Sequence, residues 1–116
     1  MKIQLGKIQL GKAKLAAVVG ALCFSLSPAN AGDLEEGKKK SAPCVACHGA
    51  VGISPNPSWP NLAGQQKDYL IKQMKDFRDG NRSDPWMSPM AKPLSDEDIE
   101  DLAVFFNSLP VRDEYQ

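Results

Sequence analysis

An all-α fold is predicted by three features of this 116-residue chain. Apolar residues recur at helical spacing in separate segments, no segment alternates apolar with polar residues as a half-buried strand would, and the nine glycines and nine prolines gather mainly between the periodic segments. The length, with 42% hydrophobic and 24% charged residues, fits one small domain and leaves no room for a second.

Residues 1–31 are read as a cleaved secretory signal peptide. Lys2, Lys7, Lys12 and Lys14 precede the apolar run from Leu15 to Leu26, and Ser27-Pro28-Ala29-Asn30-Ala31 follows, with Ala29 and Ala31 bracketing Asn30 as an A-x-A site. Cleavage is expected after Ala31, giving a mature domain of residues 32–116. Lysines confined to the first half, followed by an all-apolar half, do not make the two-faced helix of an uncleaved amphipathic anchor. The 12-residue apolar run falls short of the roughly 20 residues that cross a bilayer, so no permanent membrane span is expected. Leu22 before Cys23 is too bulky for a lipidation site.

The first mature helix is predicted over about Asp33 to Ala42, with Asp33 as N-cap and Lys38, Lys39 and Lys40 as a solvated face. The loop from Gly49 to Gly64 carries Pro55, Pro57 and Pro60 and can form neither a helix nor a central strand. A second helix, about Lys67 to Arg78, presents Leu70, Met74 and Phe77 at i, i+4 and i+7. The stretch Asp79-Gly80-Asn81-Arg82-Ser83-Asp84-Pro85 breaks it. The third helix opens on Ser95 with an acidic first turn, Asp96 to Asp98, which suits the helix dipole. It then places Ile99, Leu102, Ala103 and Phe106 at helical spacing and exits at Pro110.

All four cations of the leader lie in an acid-free segment. From Gly32 onward ten Lys and Arg face fourteen Asp and Glu, a net charge of −4 that excludes a basic groove and argues against nucleic acid as a partner. The mature domain keeps two cysteines, Cys44 and Cys47, and a bridge between such near neighbours would constrain little of the chain. About 85 residues also bury a small core, so a large apolar cofactor at the centre is expected to help hold the domain together.

Cys44-Val45-Ala46-Cys47-His48 spells C-x-x-C-H, the covalent attachment pattern for c-type haem. Two thiols about one helical turn apart can add to the two vinyl groups of one haem edge, and the adjacent histidine can face the iron. A thioredoxin-like pair would need a strand before the motif, where this chain has the charged, helical Glu35-Glu36-Gly37-Lys38-Lys39-Lys40. A zinc site needs four ligands, and the mature chain has three Cys and His residues in all. His48, the sole histidine, is the expected proximal ligand, and its second ring nitrogen wants an acceptor such as a carbonyl of the proline-rich loop. With no other histidine, the sixth iron position falls to a methionine. Met1 is in the leader and Met74 sits on the apolar face of a helix, which leaves Met87 and Met90 on a loop after the break.

On these residues the mature chain resembles a class I c-type cytochrome over essentially its whole length. The segment Gly32-Asp33-Leu34-Glu35-Glu36-Gly37-Lys38-Lys39 is similar to that family's N-terminal helix, in which the glycine lets the first and last helices cross closely, and Gly37 is then expected to meet Phe105. Pro60-Asn61-Leu62-Ala63-Gly64-Gln65 resembles the post-haem loop, whose proline carbonyl accepts the hydrogen bond from the proximal histidine, a role that falls on Pro60. Leu94-Ser95-Asp96-Glu97-Asp98-Ile99 resembles the start of the last helix. The likeness is strongest to small periplasmic monohaem cytochromes of bacteria and to one half of the dihaem ones.

In that group the ligand methionine stands eight residues before the serine of the Leu-Ser-Asp cap, which selects Met87 over Met90. The resemblance implies three main helices and loops around one haem c held by Cys44 and Cys47, with His48 and Met87 on the iron. It also implies a pocket walled by Trp59, Leu62, Leu70, Met74 and Phe105. The implied role is that of a periplasmic one-electron carrier, a monomer docking transiently on a donor and an acceptor protein, rather than an enzyme. The competing readings are a haem subunit of a larger oxidoreductase and a gas- or peroxide-reactive haem protein.

Overall fold

The computed structural model describes residues 31–111, which are helical with no β-strand among them. The leader (residues 1–30, including Cys23 and Met1) and the tail (residues 112–116) lie outside the described residues.

Helix α1 spans Leu34–Lys40. Extended Asp33 caps it by accepting from the Glu36 amide at 2.9 Å, and acids in the first turn and lysines in the last complement the helix dipole. It stops two residues before the predicted end. Pro43 has no amide to continue the ladder, so the chain tightens into a 3-10 turn at Ala42–Cys44, and the short helix α2, Val45–His48, follows. Ser41 closes α1 from both sides of its backbone, its amide on Gly37 O at 2.9 Å and its hydroxyl on Lys38 O at 2.7 Å.

Helix α3, Lys67–Asp79, ends on Gly80 in the left-handed conformation, φ 85°. Helix α5, Asp96–Ser108, begins with a reciprocal cap: Asp98 N donates to Ser95 Oγ at 3.0 Å and Ser95 N to Asp98 Oδ2 at 2.9 Å. Between them lies a helix that the sequence reading assigned to a loop, α4, Met87–Ala91. Pro89 sits in its first turn, where a missing amide costs nothing.

Helix α1 crosses α5, α3 packs on α5, and α4 leans on α3. The core of Leu70, Leu102, Ala103, Phe105 and Phe106 lies along α5, with Ile99 fully buried beside it. At the α1·α5 crossing a Cβ on Gly37 would collide with the Asp101 carbonyl oxygen and come within 2.8 Å of Phe105 Cβ, so only glycine permits this approach.

Beside that crossing is a buried carboxylate that the apolar pattern gives no hint of. Asp101 is 1% exposed and accepts from Asp33 N and Lys40 Nζ, each at 2.6 Å. Lys40 also reaches Asp98 at 2.9 Å. Burial opposes the charge of Asp101, yet the Lys40 ammonium and the Asp33 amide outweigh it and hold the carboxyl below its ordinary value. Lys40, with help from the Ser95 amide, holds Asp98 down to about 2.

Candidate functional site

A cavity of about 540 Å³ opens between α2, the 49–64 loop, α3 and α4, a size that takes one cofactor-sized molecule. On one wall lie Cys44, Cys47 and His48; Trp59 and Leu62 come from the loop, Leu70 and Met74 from α3, Met87 and Met90 from α4, and Phe106 from α5. Phe105 does not line it. It belongs instead to the α1·α5 crossing, with its ring tilted 60° against Phe106 at 5.2 Å, and its neighbour faces the cavity.

The motif is presented by local geometry. Cys44, at the end of the 3-10 turn, donates its amide to Ser41 O at 2.8 Å, and the turn of α2 places Cys47 and His48 on the same wall. His48 is 5% exposed, and its Nδ1 lies 2.8 Å from Pro60 O. A carbonyl only accepts, so Nδ1 carries the proton and Nε2 keeps its lone pair for a metal. The loop that supplies Pro60 is itself stitched down. Leu62 N and Ala63 N both donate to Gly52 O, at 2.8 and 3.0 Å, while Ser54 takes Asn61 Oδ1 through its amide and Cys47 O through its hydroxyl, at 2.7 and 2.8 Å. Gly52, at φ 72°, could not carry a side chain here, since a Cβ would come within 2.8 Å of Ala63 N.

Burial, and secondarily the neighbouring Cys47, push the Cys44 thiol above its ordinary value. That is the opposite of an activated redox thiolate, and no strand precedes the motif among the described residues, as a thioredoxin-like pair would need.

Of the other lining residues, Met87 is half-buried, whereas Met90, three residues on, is 43% exposed. Met74 faces the cavity and also packs on the core. Helix α4 is set in place by a residue that sequence reasoning passed over as part of a helix break. Asp84 Oδ1 accepts from both Trp86 N and Met87 N at 2.8 Å, and these amides hold the carboxyl below its usual range. Asp followed by Pro is a turn signal that can lead into a helix, and here it stands just before α4.

Two thiols and an uncommitted imidazole nitrogen on one wall, thioethers on another and apolar side chains between them fit a flat, largely apolar, iron-bearing macrocycle attached through its edge.

The family model described as Cytochrome c matches residues 34–110. The chain is 50% identical over 78 residues to a cytochrome c4 of Pseudomonas aeruginosa, covering 67% of this chain and 39% of that protein. It is 47% identical over 81 residues to cytochrome c-554(548) of Halomonas halodenitrificans, covering 67% of this chain and 98% of that one. Among solved structures, reduced recombinant cytochrome c4 from Pseudomonas stutzeri superimposes with a TM-score of 0.66 at 45% identity, over 69% of this chain and 47% of that chain. The chain thus spans about two fifths of the length of the cytochrome c4 relatives that it matches.

Proposed function

The chain belongs to the cytochrome c family, and from that premise we propose that it is a periplasmic one-electron carrier with His48 and Met87 as the two iron ligands of a single haem c. The cofactor, attached covalently through Cys44 and Cys47, supplies when bound a reversible one-electron couple at its iron. The observation that carries the reading is the single cavity that gathers both thiols, the only histidine and Met87 around apolar walls.

Each residue has a distinct task. Cys44 and Cys47 fix the cofactor edge, so that it cannot dissociate. His48 offers Nε2, and its bond to Pro60 O fixes both tautomer and ring plane. The Met87 thioether is soft and neutral, which favours the reduced metal and raises the potential. With His48 and Met87 both held for the iron, no coordination position would be left for a substrate, and carriage rather than catalysis follows. Leu62, Leu70, Met74 and Phe106 keep water from the site, which further disfavours the more highly charged oxidised form. Redox proteins are the partners, and they dock through small, transient interfaces. The net charge of −4 from Gly32 onward favours apolar contact or a basic partner surface. The leader pattern supports export, with cleavage after Ala31.

A redox titration of the purified holoprotein, followed by its visible spectrum, tests haem type, ligation and potential together. Met87→Ala is expected to abolish the sulfur-to-iron absorption band. If Met90→Ala alone abolishes it, the ligand is Met90, and if the protein is colourless at the mass of the bare polypeptide, the carrier reading fails.

A further inference from the structure

We propose that Asp84 is the positioning residue for the methionine ligand, acting by clamping the start of α4 through the backbone amide of Met87 itself. The proposal rests on the assignment of Met87 above. One carboxylate oxygen, Asp84 Oδ1, takes two consecutive amides, Trp86 N and Met87 N, both at 2.8 Å. The Asp84 backbone closes the turn from the other side: its amide donates to Ser88 Oγ at 3.0 Å and its carbonyl accepts Ser88 N at 3.1 Å. Pro85 between them has its φ fixed by its ring.

Helix α4 needs such a clamp because little else holds it. It has five residues, too few to be stable alone, and Ala91 is its sole buried side chain. Trp86 and Met90 on either side of the ligand are 66% and 43% exposed, so packing does little to fix the rotation of the helix. That rotation decides which methionine faces the cavity interior, because both line it. A side-chain acceptor bonded directly to the Met87 amide sets the register at the residue where register matters. Four bonds converge on a segment of five residues, Asp84 to Ser88.

The acceptor geometry, rather than the negative charge, carries this role, which separates two variants of one residue. Asn retains an oxygen that can accept both amides, whereas Ala removes it. Ferric holoprotein is heated while the sulfur-to-iron band and the far-UV helix signal are followed in parallel, and carbon monoxide binding to the ferrous form is timed by stopped flow. In Asp84→Ala the band is expected to vanish at a lower temperature than the helix signal, opening a gap absent from the unsubstituted protein. Carbon monoxide is expected to bind about fivefold faster, the factor by which loss of an ordinary cap raises the population of an opened α4. Asp84→Asn restores both behaviours.

If band and helix signal fall together in Asp84→Ala, or if Asp84→Asn behaves like Asp84→Ala, the clamp is refuted. Should Asp84→Ala yield no holoprotein, Asp84→Glu, which displaces the oxygens by one methylene, takes its place, and failure of both to fold refutes a role confined to α4. A band that is absent from the unsubstituted protein, or that survives Met87→Ala, overturns the ligand assignment instead.

Discussion

The α1·α5 crossing and the α4 wall of the cavity are built on opposite terms. At the crossing, Gly37 lets two backbones nearly touch, Ile99, Leu102 and Ala103 are at most 1% exposed, and a buried carboxylate is tied to both helices. At the wall, a five-residue helix flanked by exposed Trp86 depends on one aspartate for its placement. The crossing is a frame packed by protein atoms alone, whereas the wall is half of an interface whose other half is the cofactor.

The comparison breaks most severely when the cofactor is lost. Replacing both Cys44 and Cys47 by Ala removes its covalent attachment. The apolar walls of a cavity of about 540 Å³ would then face water, a large loss against the roughly 5–15 kcal/mol that a small domain has in all. The expected result is a chain without cooperative thermal unfolding by circular dichroism. A cooperative transition in the double variant would show that the frame stands without its filling.

Next in size is Gly37→Ala. The nearest obstacle is the Asp101 carbonyl, backbone that cannot rotate away, so α1 must lift from α5 at a cost of about 3 kcal/mol, the upper part of the range for overpacking. Urea denaturation of the holoprotein measures it, and a loss under about 1 kcal/mol would mean that α1 slides freely and the crossing is no frame.

Most of this frame was legible in the sequence, and the reasons are local. Ser95 with its acidic turn, the 3.6-residue spacing of Ile99, Leu102, Ala103 and Phe106, and the spacing of Cys44, Cys47 and His48 are short-range signals, and α5, α3 and the motif follow them. Asp101 was not legible, because its partners Asp33 and Lys40 lie more than sixty residues away and only the fold brings them together. The exchange of Phe105 for Phe106 at the cavity has a similar origin. Adjacent residues on one helix differ by about 100° in direction, and both faces of α5 here are apolar. Helix α4 was hidden for a different reason. Asp84-Pro85 ends one pattern and begins another, and read from its N-terminal side it looks like a break.

A smaller effect sharpens the comparison through pH. Lys40 holds Asp98 at about 2 and Asp101 below its ordinary value. Both carboxyls are lowered on folding, so their contribution is fully present above the ordinary carboxylate range, near 4, and is lost as pH falls from there toward 2. Lys40 itself is raised above its ordinary 10.5, chiefly by its hydrogen bonds to Asp101 and Asp98. Its contribution is therefore present below that value and lost as pH climbs past it. Lys40→Met is expected to flatten both limbs of a stability-against-pH curve, with part of the acid limb kept by the Ser95 and Asp33 amides. Parallel curves for the two proteins would mean that the network adds nothing to the frame.

The smallest expected change comes from the wall. Trp86 is 66% exposed, and the bond it makes through its amide to Asp84, just before α4, survives truncation of the side chain. Trp86→Ala should therefore leave the denaturation midpoint of the holoprotein within about 0.5 kcal/mol of the original, as for most surface substitutions. If the substitution instead costs more than about 1 kcal/mol, Trp86 is packed in solution. The wall would then have a core of its own, and α4 would belong to the frame.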